Sequence, residues 1–219
     1  MKIGMLGTGM VGNTLGTALI AKGHEVKMGS RDAINEKAAE WTNANGNNAS
    51  QGTFEDAALF GDIIFNCTKG QHSLEALKLA GEQNLAGKIL VDVANPLDFS
   101  KGMPPTLTLV NDTSLGETIQ TAFPETKVIK TLNTLNCTLM IDANKLANGE
   151  HNLFICGNDA NAKHTVKEFL HDNFNWKIES IIDLGDITNS RGSEQLLPIW
   201  IRLWGALGTP DFNFKIVRN

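Results

Sequence analysis

The sequence predicts an α/β protein: a doubly wound, mostly parallel Rossmann sheet with a small C-terminal α/β subdomain. Three observations carry this expectation. Short apolar runs alternate with longer amphipathic stretches, the rhythm of strands that cross over through helices into a parallel sheet. The run Gly7-Thr8-Gly9-Met10-Val11-Gly12 stands where the first strand gives way to the first helix. The alternation holds to about residue 134 and then changes, which divides the chain into a dinucleotide-binding domain (1–134) and a C-terminal subdomain (135–219).

Six strands are expected in the first part, at 2–6, 25–28, 51–53 (the weakest), 63–67, 89–93 and 128–131, with helices between most of them. After the first strand, Val11, Leu15, Ala18 and Leu19 recur at helical spacing until Gly23, which is free to take the left-handed C-cap conformation. Ser73 is expected to cap a helix over 74–82, and Ser114-Leu115-Gly116-Glu117 has capping-box spacing. The C-terminal part reads as a strand at 153–156, a helix at 159–170, a strand at 178–183 and a final helix at 196–207. No Pro/Gly/Ser-rich linker separates the two parts, so the second is expected to pack on the sheet and wall its cleft.

Charge and composition narrow the function. Lys and Arg number 19 against 24 Asp and Glu, and the net charge of −5 gives no general attraction for nucleic acid or an anionic membrane. An anionic ligand therefore needs a local site. The apolar stretches 89–94 and 196–207 are too short, or too interrupted by Pro198 and Arg202, to span a bilayer. The N-terminal residues run into a strand without the features of a signal peptide, so the expected location is cytoplasmic. Cys67, Cys137 and Cys156 are widely spaced and read as reduced, buried thiols. His151, His164 and His171 share no face with acidic partners, and no metal site is expected.

The glycine motif is where the chemistry begins. Gly7 permits a tight turn, Gly9 lets a pyrophosphate approach the backbone, and Gly12 lets helix and strand pack, while the helix N-terminus offers free N–H groups. An NAD site places a carboxylate at the end of the second strand to accept from the ribose 2′-hydroxyl. This chain has Gly29-Ser30-Arg31 there, a donor and a cation suited to a 2′-phosphate, so NADP(H) is the expected dinucleotide. Thr8 and Lys37 can add donors, while Asp32 lies one residue beyond.

The loops leaving strands four, five and six should line the nicotinamide end: Thr68-Lys69-Gly70-Gln71-His72, Ala94-Asn95-Pro96-Leu97 and Asn133-Thr134-Leu135-Asn136-Cys137. His72 is the candidate catalytic residue, as a proton donor, against the plainer reading of a cofactor-loop or capping residue. The final helix carries Trp200 and Trp204 at helical spacing, after Arg191. Two readings stand: core or dimer interface, or an apolar slot bordered by Arg191, Trp200 and Trp204 for a flat second substrate.

From residue 2 nearly to its end the chain resembles the deazaflavin (coenzyme F-420)-dependent NADP oxidoreductase family. The resemblance rests on the glycine motif, Gly23-His24-Glu25-Val26 with Gly29-Ser30-Arg31, and Val91-Asp92-Val93-Ala94-Asn95-Pro96-Leu97. Lys130-Thr131-Leu132-Asn133-Thr134 and Asn189-Ser190-Arg191 with Glu194 and Pro198 complete it. It implies that Thr8 to Val11, Ser30 and Arg31 hold the phosphates, that Thr68, His72, Leu97 and Cys137 lie along NADP, and that the protein is a homodimer. Lys69-Gly70-Gln71 departs from the bulky, Trp-containing loop of deazaflavin reductases, which leaves the acceptor open among deazaflavin, flavin and ferric types.

The resulting expectation is an NADP(H)-dependent oxidoreductase passing a hydride to a small-molecule redox acceptor, with ring stacking in place of an acid or base. The enzymatic alternative is carbonyl or imine reduction, for which His72, Lys69 or Lys130 would have to supply a proton. The non-enzymatic alternative is an NADP(H) sensor.

Overall fold

The computed structural model describes all 219 residues. Its first half is a chain of strand–helix crossovers: β1 (Lys2–Leu6), α1 (Met10–Ala21), β2 (Glu25–Ser30), α2 (Glu36–Asn45), β3 (Ala49–Thr53), α3 (Phe54–Phe60), β4 (Ile63–Asn66), α4 (Gly70–Ala80), α5 (Glu82–Leu85) and β5 (Ile89–Asp92). A short hairpin follows, β6 (Leu97–Asp98) with β7 (Thr106–Leu107), then α6 (Leu115–Ala122) and β8 (Lys127–Thr131). The last third contains α7 (Cys137–Met140), β9 (Leu153–Cys156), α8 (Ala160–Phe174), β10 (Ile181–Asp183), α9 (Ser190–Gln195) and α10 (Leu197–Leu207).

The sheet order is β10-β9-β8-β5-β4-β1-β2-β3. From β3 to β8 every pairing is parallel, in the order of a doubly wound dinucleotide-binding sheet, and the strand order reverses beside β1. The six strands expected from the sequence are all present, β1 with both ends as read. The C-terminal strands make no sheet of their own. β9 runs antiparallel onto the open edge of β8, and β10 adds in parallel, so one sheet of eight strands crosses the whole molecule. Residues Leu153–Cys156 are buried on both faces, as a strand inside a covered sheet must be.

Each face of the sheet has its own core. On one, Leu15 and Leu19 of α1 pack with Trp41 of α2 and with Phe169 and Leu170 of α8; on the other, Ala57 of α3 packs with Leu77 of α4 and Leu115 and Ile119 of α6. A fully buried side chain of this size contributes about 1.5–3 kcal/mol, so it is the two apolar faces that hold the strand ends in place.

Several boundaries differ from expectation. The helix expected at 74–82 under a Ser73 cap is α4, which starts four residues earlier, and Ser73 lies buried inside it. Residues 178–180 form a 3-10 turn ahead of β10. α8 runs a turn further than expected and ends on Asn175 in the left-handed region (φ 60°), a conformation that asparagine tolerates. The final helix begins earlier than expected and divides at Leu196 into α9 and α10. No helix is long and apolar enough to cross a membrane.

Candidate active site

A cleft opens at the carboxyl ends of β1 and β4, where the strand order turns. Gly7 lies at φ +115°, and a Cβ there would come within 2.8 Å of the Cys67 carbonyl oxygen, so only glycine fits. Gly9 caps α1 with no side-chain bond, and a Cβ on it would meet nothing within 4 Å. The first N–H groups of α1 therefore face open space with no protein acceptor, an arrangement that favours an anion. Gly12 is buried in the first turn of the helix, while Met10 is largely exposed.

Around this turn lies a chamber of about 370 Å³ lined by Gly7, Thr8, Gly9, Ser30, Arg31, Asp32, Lys37, Lys69, His72 and Glu75, among others. Arg31 and Lys37 reach it as the sequence suggested. Ser30 does so differently. Its side chain is buried, and its hydroxyl donates to the Asp32 carbonyl at 2.5 Å, so its proton is already committed. Arg31 Nη2 lies 3.1 Å from Oε1 of Glu75. His72, exposed in the first turn of α4, accepts at Nε2 from the Gln71 side-chain amide at 3.0 Å and has its Nδ1 3.9 Å from Glu75.

A second chamber of about 530 Å³ adjoins the first and shares Cys67, Thr68 and Lys69 with it. Val11, Val93, Leu97 and Phe99 form apolar walls, and Gln71, Asn95, Asp98 and Ser100 add polar groups. His72 lines the first chamber and not this one. A Cβ on Gly70 would overlap the Asn95 carbonyl, so its absence lets α4 start directly against the loop after β5. The Asn95 and Asn133 amides exchange hydrogen bonds, Asn95 Nδ2 to the Asn133 carbonyl at 2.8 Å and Asn133 Nδ2 to Asn95 Oδ1 at 2.9 Å. Asp98 accepts from the Ser100 N–H at 2.8 Å and its hydroxyl at 2.9 Å. Those bonds, against a small opposing effect of burial, hold its carboxyl below the usual carboxylate range, and it is ionised at neutral pH. Burial, with Asp92 nearby, pushes the Cys67 thiol well up, so it stays neutral.

Beneath the second chamber lies a buried polar row. Asn66, Asp92 and Lys130 are register partners at the ends of β4, β5 and β8. Asn66 Nδ2 donates to Asp92 Oδ1 at 2.8 Å, and its own Oδ1 accepts from the Thr68 hydroxyl at 2.7 Å. Lys130 Nζ bonds Asp92 Oδ2 at 2.8 Å, Glu194 Oε1 at 2.9 Å and the Ala94 carbonyl. The Ala94 N–H in turn reaches Asp92 Oδ1 at 3.2 Å, so this peptide of the chamber wall is held from both sides. Glu194 also accepts from the N–H groups of Leu115 (2.8 Å) and Gly116 (3.0 Å), a carboxylate on the N-terminus of α6. Burial alone would lower the Lys130 pKa; Asp92 and Glu194 more than reverse this, and the value is raised. With its three donors engaged and no solvent access, Lys130 has no proton to offer the cleft.

Some expected site residues are not gathered here. Pro96 and the pair Asn136 and Cys137 line neither chamber. Asn136 donates to Asp211 at 3.2 Å, and the Cys137 sulfur accepts from the Thr14 hydroxyl at 3.6 Å. Arg191, Trp200 and Trp204 also lie outside both chambers of this chain. Arg191 is bound by both ends of its guanidinium to Glu117, and Trp200 stacks on Phe212 with centroids 5.3 Å apart. Sequence reasoning missed Glu75, Asp98, Phe99 and Ser100. The only local signal for the last three was a short polar-apolar alternation before Pro104 and Pro105, too brief to read as a hairpin.

Residues 2–96 match a family model described as NADP oxidoreductase, coenzyme F420-dependent. A solved structure from Arthrobacter sp. FB24, described provisionally as an F420-dependent NADP-reductase, is 52% identical with 100% of both chains covered and a TM-score of 0.93. The imine reductase of Myxococcus stipitatus in complex with NADP+ is 18% identical over 95% of this chain and 63% of that one, with a TM-score of 0.67, a likeness of fold alone. The metalloreductase STEAP3 of Rattus norvegicus is 31% identical over 205 residues, 91% of this chain; the chain spans 38% of that curated relative's length.

Proposed function

The chain belongs to the coenzyme F420-dependent NADP oxidoreductase family, and from that premise we propose that it passes a hydride between NADP(H) and a flat redox acceptor seated in the larger chamber. A deazaflavin, a flavin or a ferric-type acceptor suits that role. The residues present fit the dinucleotide: a turn that tolerates no Cβ at Gly7, an open face at Gly9, and free helix N–H groups. Gly7 to Gly12 would hold the diphosphate, with Arg31 and Lys37 on the 2′-phosphate and Ser30 shaping the turn beside it. Thr68, Lys69 and His72 would line the path to the larger chamber, where Asn95 and Leu97 flank the nicotinamide. NADPH, when bound, supplies the hydride; the chain's part is to bind, orient and exclude water.

The observation that carries this reading is the make-up of the larger chamber: Val11, Val93, Leu97 and Phe99 wall it, Asp98 is an ionised carboxylate, Cys67 is held neutral, and Lys130 is sealed beneath the wall, which leaves Lys69 as its one ammonium. Lys69 stands at the waist shared with the phosphate chamber. Apolar walls with a single cation at their edge suit stacking of two rings more than protonation of a carbonyl or imine. The test is NADPH oxidation, followed by absorbance, against deazaflavin, flavins, quinones, ferric chelates and a cyclic imine. Turnover of the imine, with none of the redox acceptors reduced, would overturn the reading.

We also propose a homodimer built on α10, because Ile199, Trp204 and Leu207 leave 46%, 42% and 56% of their surface exposed along it. Trp204→Glu should give monomers or insoluble protein. A dilute wild-type sample sedimenting as a monomer would refute it.

A further inference from the structure

Arg31 is not a free cation at the mouth of the phosphate chamber. Its Nη2 lies 3.1 Å from Oε1 of Glu75, which α4 presents from the opposite wall, 44 residues along the chain. The two side chains are 63% and 55% exposed, and an exposed pair of this kind adds little to folding. Its consequence falls on whatever else binds the guanidinium. The chamber's cations are Arg31, Lys37 and Lys69, with His72 beside them; its carboxylates are Asp32 and Glu75. Glu75 is the one that engages Arg31.

We infer that Glu75 is a specificity-determining residue that weakens the grip on the 2′-phosphate by occupying an Arg31 donor and placing a negative charge beside the phosphate's site. The inference rests on the reading of this chamber as the NADP(H) adenosine site. A guanidinium has five N–H donors, so Arg31 can share itself between Glu75 and a phosphate, but the shared cation serves each anion less well. The remaining carboxylate also repels the phosphate directly. NAD(H) lacks the 2′-phosphate and has a hydroxyl in its place, a donor that a carboxylate does not repel, so Glu75 does not weaken its binding. The residue thus sets how strongly the protein prefers NADP(H).

In a solvated chamber, removing one such carboxylate is worth about threefold to tenfold in Kd. The experiment titrates NADPH and NADH into the wild-type protein, Glu75→Gln, Arg31→Ala and the double variant by calorimetry, at low and high salt. Glu75→Gln should bind NADPH about threefold to tenfold more tightly and NADH no more tightly than wild type, with the gain shrinking at high salt. In the Arg31→Ala background most of the gain should vanish. NADPH binding that is unchanged or weaker in Glu75→Gln would overturn the inference, since Glu75 would then orient Arg31 rather than compete for it. Equal tightening of NADH would also overturn it. A wild type with no preference for NADPH would remove the NADP(H) reading and the inference together, whereas a clear preference that Glu75→Gln does not move removes the inference alone.

Discussion

Lys130 Nζ lies 2.8 Å from Oδ2 of Asp92, and neither side chain reaches solvent. The two are register partners on β8 and β5, so the ion pair is held by the sheet itself, and Glu194 of α9 closes it from the other side at 2.9 Å. Lys130→Met would leave two buried carboxylates without their cation. It should lower stability by about 3–5 kcal/mol in urea unfolding. The sign of the pH dependence follows from the raised Lys130 pKa. The stabilisation is fully present below the ordinary lysine pKa of about 10.4 and is lost as pH rises through the higher folded value. Above neutrality the gap between wild type and Lys130→Met should therefore hold until strongly alkaline pH; a gap that closes between neutral pH and about pH 9 would contradict the pairing.

Ser30 ends β2 and Arg31 follows it into the smaller chamber, the positions where an NAD site places the carboxylate that receives a ribose hydroxyl. NADPH should bind at least about tenfold more tightly than NADH, equivalent to about 1.4 kcal/mol. Arg31→Ala should erase most of that preference while leaving NADH affinity nearly unchanged. Equal wild-type affinities in a fluorescence titration would sink the assignment.

Arg191 Nε donates to Glu117 Oε2 at 2.8 Å, and its Nη2 reaches Oε1, so α9 and α6 are joined by a two-point ion pair. Arg191 holds the Glu117 carboxyl below the usual range, against the effect of burial, with the Ser114 hydroxyl at 2.7 Å assisting. A depressed carboxyl pKa gives stability that is present above the ordinary value, about 4.3, and lost as pH falls through the folded one. Glu117→Gln should melt lower than wild type near neutrality, and the difference should fade on the acid side. Melting curves at a series of pH values check this; a difference that grew on acidification would show the pair to be absent.

Asn95 lines the larger chamber and His72 the phosphate chamber. Asn95→Trp should raise the acceptor KM far more than the NADPH KM, because its bulk enters the acceptor's space. His72→Ala should change the NADPH KM by about threefold or less and leave kcat within about twofold, as the proposed ring-to-ring hydride transfer needs no proton from it. Loss of nearly all turnover in His72→Ala, with NADPH binding intact, would point instead to acid-assisted reduction.

What could be read from the sequence was what neighbouring residues encode. The strands came from apolar runs, and the phosphate turn from three glycines at fixed spacing between a strand and a helix. Ser30-Arg31 at the end of β2 pointed to NADP(H) in the same way, through residues next to one another. The errors have one cause. Ser73 looked like a helix cap because a serine before an apolar stretch often is one, but α4 starts at Gly70, whose lack of a Cβ lets it lie directly against Asn95, 25 positions later. Lys130 looked available for proton transfer until Asp92 and Glu194 closed over it.

The sequence by itself determined the crossover rhythm, the glycine turn and the cation at Arg31, because each depends on backbone preferences and side chains within a few residues. The tertiary structure alone decided that residues 153–183 extend the first sheet, that Asp98 and Phe99 wall the larger chamber, and that Glu75 faces Arg31. Those outcomes depend on which sheet edge is left open and which loops meet across the cleft, and distances between segments far apart in the chain leave no local periodicity to read.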